Sequence, residues 1–255
     1  MPALTLFTFP PSLDSEFSRF LLRHYGVEHR EERHVILFQS IVTLARGRTV
    51  RIPLLLGDSI RLNTVRKLID YFEPRCPEER KLVPRGVDLK QIGEDWKVFH
   101  HVLNTATTIF PYYHLLPRRE IMVRPLSEGA PRFEVAAVER AYPFFAAVIR
   151  ALLRLTPSRA ATAQATIRRV LGDVDARLAD GRRYLNGDRF TLSDMAFAIG
   201  AAPAVWPDNY GGSIPALADT PAPVQALVRE CRDLASGAFA LRIYRDHRDA
   251  PPGAA

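Results

Sequence analysis

Three short stretches place polar groups where they could hold an anion or a reactive sulfur. Ser12 follows Phe9-Pro10-Pro11 and precedes Leu13-Asp14-Ser15-Glu16-Phe17. The prolines stop the preceding segment and serine is a favoured cap, so Ser12 falls at a helix N-terminus. The first amides of a helix lack intrahelical partners and the positive end of its dipole lies there; both favour a thiolate over a thiol. Ser15, one turn later, reads as polar helix surface. Asn63-Thr64 stands in the same way before Val65-Arg66-Lys67-Leu68-Ile69, with Asn63 as cap, a position suited to a carboxylate. Ile52-Pro53 interrupts the strand-like run 50–56, and a proline there must sit at a strand start, an edge or a tight bend. A fourth cluster, Phe110-Pro111-Tyr112-Tyr113-His114, carries two phenols that could polarise a leaving group, although most aromatic stripes form core.

Other reactive residue types form no constellation. His100-His101 has no companion at metal-ligand spacing, and Cys76 and Cys231 are too far apart in sequence for a disulfide framework or a metal knuckle. No metal is expected. Cys76, between Arg75 and Pro77, reads as a spare thiol. Asp14 and Glu16 suit a helix start but would repel an anion held there.

The 255 residues are 47% hydrophobic and 25% charged, enough to bury one large core or two smaller ones. Lys and Arg number 35 against 28 Asp and Glu, a net charge of +7. The basic residues are dispersed among acids with no run of five, so a solvated basic surface is expected and nucleic-acid binding is not. Residues 1–9 lack the basic and apolar regions of a secretory signal, no apolar stretch reaches the length of a membrane span, and cysteine is scarce. A cytoplasmic protein with no membrane partner is expected.

The elements that must position these groups follow from periodicity. Residues 4–9 read as a buried strand, 12–25 as a helix ended by Gly26, 28–34 as a polar edge strand, and 35–45 as a second helix ended by Gly47. A strand at 50–56, a turn at Gly57-Asp58-Ser59 and a short strand at 60–62 make a hairpin, followed by a helix over 64–73. The order is β-α-β-α-β-β-α. The proline-bearing, aperiodic stretch that follows reads as a linker. Beyond it all is helical: a long helix over 88–114, another over 133–155 kinked at Pro143, one capped by Ser158, a very apolar one opening at Phe190-Thr191-Leu192-Ser193-Asp194, and a last stripe over 224–234. Thr191 and Asp194 can exchange hydrogen bonds as a capping box.

Four stretches in order along nearly the whole chain resemble the glutathione S-transferase family. They are Phe9-Pro10-Pro11-Ser12-Leu13-Asp14-Ser15-Glu16, Val50-Arg51-Ile52-Pro53, Leu62-Asn63-Thr64 before Leu68-Ile69-Asp70-Tyr71-Phe72, and, most specific, Tyr184-Leu185-Asn186-Gly187-Asp188-Arg189-Phe190-Thr191-Leu192-Ser193-Asp194-Met195-Ala196. The match is to bacterial-type members with serine at the sulfur-facing position. The resemblance implies an α/β plus all-α fold. A thioredoxin-like glutathione-binding domain (1–75) and a linker (76–87) precede an all-helical glutathione-transferase C-terminal domain (88–248), and a mobile tail (249–255) ends the chain.

The resemblance also implies roles. Ser12 would stabilise the thiolate of glutathione, which acts as co-substrate and nucleophile. Ile52, before a cis Pro53, would pair through its backbone with the cysteinyl part, and Thr64 would hold the γ-glutamyl carboxylate. Asn63 departs from the acidic residue usual in the family and cannot pair ionically with the γ-glutamyl ammonium. Tyr112 and Tyr113 would lie in the pocket for a small apolar electrophile. Serine rather than cysteine at position 12 disfavours a mixed-disulfide reductase. Family members are usually homodimers. Two other readings stand beside the transferase: a non-catalytic binding or interaction protein of this fold, and a relative that uses a different thiol.

Overall fold

In the computed structural model the described residues are 4–249. The expected mobile tail, 249–255, lies outside them apart from Asp249. Two compact units emerge: Met1–Cys76 with Arg118–Ile149 and Gly211–Pro215, and Pro77–Pro117 with Arg150–Tyr210 and Ala216–Ala255.

The first unit is built on a four-stranded sheet of order β2-β1-β3-β4. Strand β1 (Thr5–Thr8) leads into α1 (Leu13–His24), then β2 (Arg30–Arg33), α2 (Phe38–Gly47), β3 (Leu54–Leu56), β4 (Arg61–Leu62) and α3 (Val65–Phe72). β1 runs parallel to β2 and antiparallel to β3, which is antiparallel to β4. β1 and β3 are interior strands, and their Leu6, Phe7, Leu54 and Leu55 are essentially inaccessible. Interior strands read as continuous apolar runs because both faces are covered. β2, at the edge, can afford Arg30-Glu31-Glu32-Arg33. Helix α2 approaches β3 so closely that a Cβ on Gly47 would lie 2.4 Å from the Leu54 side chain.

Several boundaries differ from the sequence reading. α2 starts three residues late, after Leu37, whose φ is 76°. Thr64, not Asn63, caps α3, its hydroxyl accepting from the Lys67 amide at 3.2 Å. The kinked helix expected over 133–155 is two helices, α7 (Arg132–Arg140) and α8 (Tyr142–Leu153). Pro143 is the second residue of α8, where its missing N–H costs nothing. A further helix, α6 (Arg119–Ser127), escaped the reading because Pro125 breaks its pattern.

The second unit surrounds α10 (Leu192–Val205), thirteen of whose fourteen residues are buried. Around it stand α4 (Leu89–Trp96), a π-helical stretch Lys97–Leu103, α5 (Asn104–Leu115), α9 (Pro157–Leu178), α11 (Ala222–Arg232) and α12 (Ala235–Ile243). The expected single helix over 88–114 is thus continuous but widened at its centre. There Gly200 of α10 comes so near that an added Cβ would lie 2.8 Å from the Phe99 carbonyl oxygen. Thr156 rather than Ser158 caps α9.

The capping box at the start of α10 is formed. The Asp194 carboxylate accepts from the Thr191 amide at 2.8 Å, the Thr191 hydroxyl at 2.7 Å and the Leu185 amide at 2.7 Å. Burial nevertheless pushes its carboxyl up to about 6, despite the donors from Leu185 and Thr191 that pull the other way.

Candidate active site

The register of the sheet gathers the candidates at one end. Phe7 of β1 faces Leu54 of β3, and Leu55 faces Leu62 of β4. The chain leaving β1, the chain entering β3 and the chain leaving β4 are therefore on the same edge of the sheet. These segments carry Ser12, Ile52-Pro53 and Asn63-Thr64 respectively. Because β2 is parallel to β1, with Arg33 beside Thr8, the loop at His34 opens there too.

Ser12 is the N-cap of α1, and its Oγ accepts from the Ser15 amide at 3.4 Å. Its own hydroxyl hydrogen has no partner among the described residues. Ser15 is not polar helix surface as expected. It is fully buried, and its Oγ accepts from the Phe9 amide at 3.2 Å, tying the strand end to the first turn. Glu16 does not face an anion at the helix start. It is fully buried, accepts from the Gly211 amide at 3.0 Å and lies 3.5 Å from Arg19.

Beneath this loop runs a charged network that the sequence did not suggest. The nearly inaccessible Arg19 donates to Glu31 Oε1 at 2.8 Å, to the Pro10 carbonyl at 3.3 Å and to Thr8 Oγ1 at 3.4 Å. Thr8 donates to Glu31 at 2.6 Å, and Arg33 bridges Glu31 and the Gly211 carbonyl. Burial alone would raise the Glu31 carboxyl, but Arg19, Thr8 and Arg33 outweigh it and hold it below the usual range. Arg19 thus fixes the carbonyl two residues before Ser12. The signal available in the sequence was the unusual all-charged strand Arg30-Glu31-Glu32-Arg33.

The Ile52–Pro53 peptide bond is cis. Pro53 is buried and Ile52 half-buried; among the described residues the Ile52 backbone makes no backbone hydrogen bond. The preceding loop is tied on two sides. Gln39 of α2 donates to the Val50 carbonyl at 3.1 Å, and Thr49 Oγ1 accepts from the Arg51 amide at 3.1 Å and from Asn63 Nδ2 at 3.2 Å. Asn63 is spoken for at both ends, since its Oδ1 accepts from Lys67 Nζ at 2.9 Å. The first turn of α3 contains no acidic residue, and Asp70 pairs with Arg66 at 2.8 Å. The helix dipole and Lys67 together favour a bound carboxylate and offer nothing to an ammonium.

Sequence reasoning also missed Glu134. This fully buried carboxylate on α7 lies 2.7 Å from His34 Nδ1 and accepts from the Val35 amide at 2.8 Å. It anchors the loop between β2 and α2.

Tyr112 and Tyr113 belong to the second unit, both half-buried on α5. The Tyr113 ring meets His114 edge-on at 5.0 Å, and burial lowers the His114 imidazole. His100 stacks on Trp96 at 4.1 Å. Cys231 is buried, which pushes its thiol up to about 12. Among the described residues no group of three or more His, Cys, Asp or Glu could hold a metal, and no helix is long and apolar enough to cross a membrane.

No family model and no curated protein sequence matches the chain. Solved structures do. A delta-class glutathione transferase from Nilaparvata lugens superposes with a TM-score of 0.56 at 13% identity, over 96% of this chain and 90% of its own. Glutathione S-transferase III in apo form gives 0.54 at 18% identity, over 98% and 99%. A glutathione S-transferase from Sinorhizobium meliloti 1021 gives 0.53 at 18%, over 98% and 96%. Likeness at such low identity, along essentially the whole length of both partners, speaks to architecture: the chain has the fold of the glutathione S-transferases, a thioredoxin-like N-terminal part followed by an all-helical one.

Proposed function

We propose that the protein is a glutathione transferase that activates the glutathione thiol for attack on a small apolar electrophile. The observation that carries this reading is the convergence, at one end of the sheet, of a serine with an uncommitted hydroxyl hydrogen, a free backbone edge at Ile52 and a helix start at Thr64. In this reading 1–75 form the glutathione-binding domain, 76–87 the linker and 88–248 the helical domain.

The chemistry follows from those groups. Ser12 donates its hydroxyl hydrogen to the sulfur, and with the positive end of α1 it lowers the cost of losing the thiol proton to water. The thiolate lone pair forms the new S–C bond as the leaving group departs with its own electron pair. Ile52 N–H and C=O align the cysteinyl unit, and the Thr64 hydroxyl and the α3 amides hold the γ-glutamyl carboxylate. In this reading the phenols of Tyr112 and Tyr113 polarise the leaving group of the electrophile. The protein works as a cytoplasmic homodimer, which light scattering tests.

A second reading has its own support. Asn63 is held between Thr49 and Lys67 in a first turn without carboxylates, so a thiol bearing an anion but no ammonium suits α3 better than glutathione. Calorimetric titration with glutathione and with its N-acetylated form separates the two. Tighter binding of glutathione, with a thiolate absorbance band that Ser12→Ala abolishes, supports the transferase. Tighter binding of the acetylated compound supports the different thiol. No binding of either, with no thiolate band, would mark a non-catalytic member of the fold.

A further inference from the structure

Helix α2 is amphipathic in the wrong sense for a soluble monomer. Its inward positions are Gln39 (5% exposed), Thr43 (0%) and Gly47, polar or side-chain-free, while Ile41 (65% exposed) and Leu44 (55%) point outward. The half-buried Phe38 begins this outer stripe and meets Phe133 of α7 edge-on at 5.6 Å; Phe133 is itself 65% exposed. Four large apolar side chains thus make one outward patch within the first unit. Scattered exposed apolar residues need no explanation, but a joined patch marks an interaction surface.

The surrounding charge selects the occupant. Arg48 follows Leu44 by four residues at the end of the α2 stripe, Arg132 precedes Phe133, and Arg140 lies two helical turns beyond Phe133 on the same face of α7. All three are exposed and none makes an ion pair among the described residues. Arg46 is already committed to Glu32 at 3.1 Å. Residues 35–57 contain no Asp or Glu; of the two acids on α7, Glu134 is turned inward and Glu139 is exposed, a single carboxylate among the three arginines. A second copy docked face to face would set these arginines against one another. An anionic bilayer would take the apolar side chains into its interface and pair the arginines with its headgroups.

We infer that this face, Phe38, Ile41, Leu44 and Phe133 ringed by Arg48, Arg132 and Arg140, docks the protein reversibly on anionic membrane surfaces. The helices lie on the bilayer and do not span it. Residues assigned to the candidate active site take no part, so the inference stands or falls apart from the catalytic proposal.

Co-sedimentation of the full chain with phosphatidylcholine vesicles, with and without phosphatidylserine, tests this. Binding is expected only with phosphatidylserine and should fall as salt is raised. Ile41→Asp/Leu44→Asp and, separately, Arg48→Gln/Arg132→Gln/Arg140→Gln should each weaken it by about tenfold or more, with circular dichroism unchanged. Absence of wild-type binding, or equal binding by either variant, would overturn the inference. So would a halving of the light-scattering mass in Ile41→Asp/Leu44→Asp, which would make the patch a contact between copies.

Discussion

Replacing Asp194 by alanine should cost the folded state about 2–6 kcal/mol. The carboxylate is inaccessible and accepts from two backbone amides, Thr191 and Leu185, as well as from the Thr191 hydroxyl. The hydroxyl can turn to another acceptor, but the amides cannot. α10 is buried almost throughout, so water does not replace the lost acceptor. Each buried amide left unpaired costs about 1–3 kcal/mol, against a typical total stability of about 5–15 kcal/mol.

Asp194 also makes a pH prediction. Its native carboxyl is raised to about 6, above its ordinary value of 3.8. Between those values the native state holds the proton more tightly than the unfolded chain does. The contribution of this group to stability is therefore greatest below pH ~4, falls as pH rises through ~6 and is flat beyond, a total of about 3 kcal/mol. Asp194→Asn keeps the shape without the titration. Urea unfolding followed by circular dichroism at several pH values would show wild type gaining on Asp194→Asn as pH drops from 7 to 4. A loss below about 1 kcal/mol in Asp194→Ala, or a wild-type advantage independent of pH, would refute the reasoning.

Two further predictions concern the cores of the two units. Arg19→Met should destabilise the first unit by about 3–5 kcal/mol, since it strands the Glu16 and Glu31 carboxylates. Glu31 is held low in the native state, so its stabilisation is present above its unfolded pKa and lost as pH falls through the lower native one; that acid-side loss should be smaller in Arg19→Met, as urea midpoints against pH would show. Gly237→Ala would place a Cβ 1.8 Å from the Cys231 carbonyl oxygen, a backbone atom that cannot swing aside. A loss of at least about 2–3 kcal/mol is expected by denaturant titration, and a neutral result would mean that α11 and α12 do not approach as described.

The candidate site was legible in the sequence wherever it rests on local chemistry. Ser12 and the Thr191–Asp194 box are read from capping preferences, which depend on a residue and its next three neighbours, and the same preferences placed the cap of α3 one residue early, at Asn63 instead of Thr64. Ile52-Pro53 stood out because proline interrupts a strand pattern. Ser15 was misread because its face of α1 looks polar, yet the Phe9 amide gives its hydroxyl a buried partner. Phe133 and Glu134 looked like ordinary helix residues; only the fold brings Glu134 to His34 and Phe133 to Phe38, about a hundred residues away.

By itself the sequence determined the β-α-β-α-β-β-α order of the N-terminal part, the starts of α1 and α10 and the pair Ile52-Pro53, because hydrophobic period, caps and proline act over a few residues. Tertiary structure alone decided which charges are buried and paired, that α2 turns its apolar side outward, and that the segments carrying Ser12, Ile52 and Thr64 leave the sheet at the same end. Those are set by strand register and by burial among distant segments. A carboxylate such as Glu31 or Glu134 is the same residue type in water or in a core, and only the partners that the fold brings to it determine what it does.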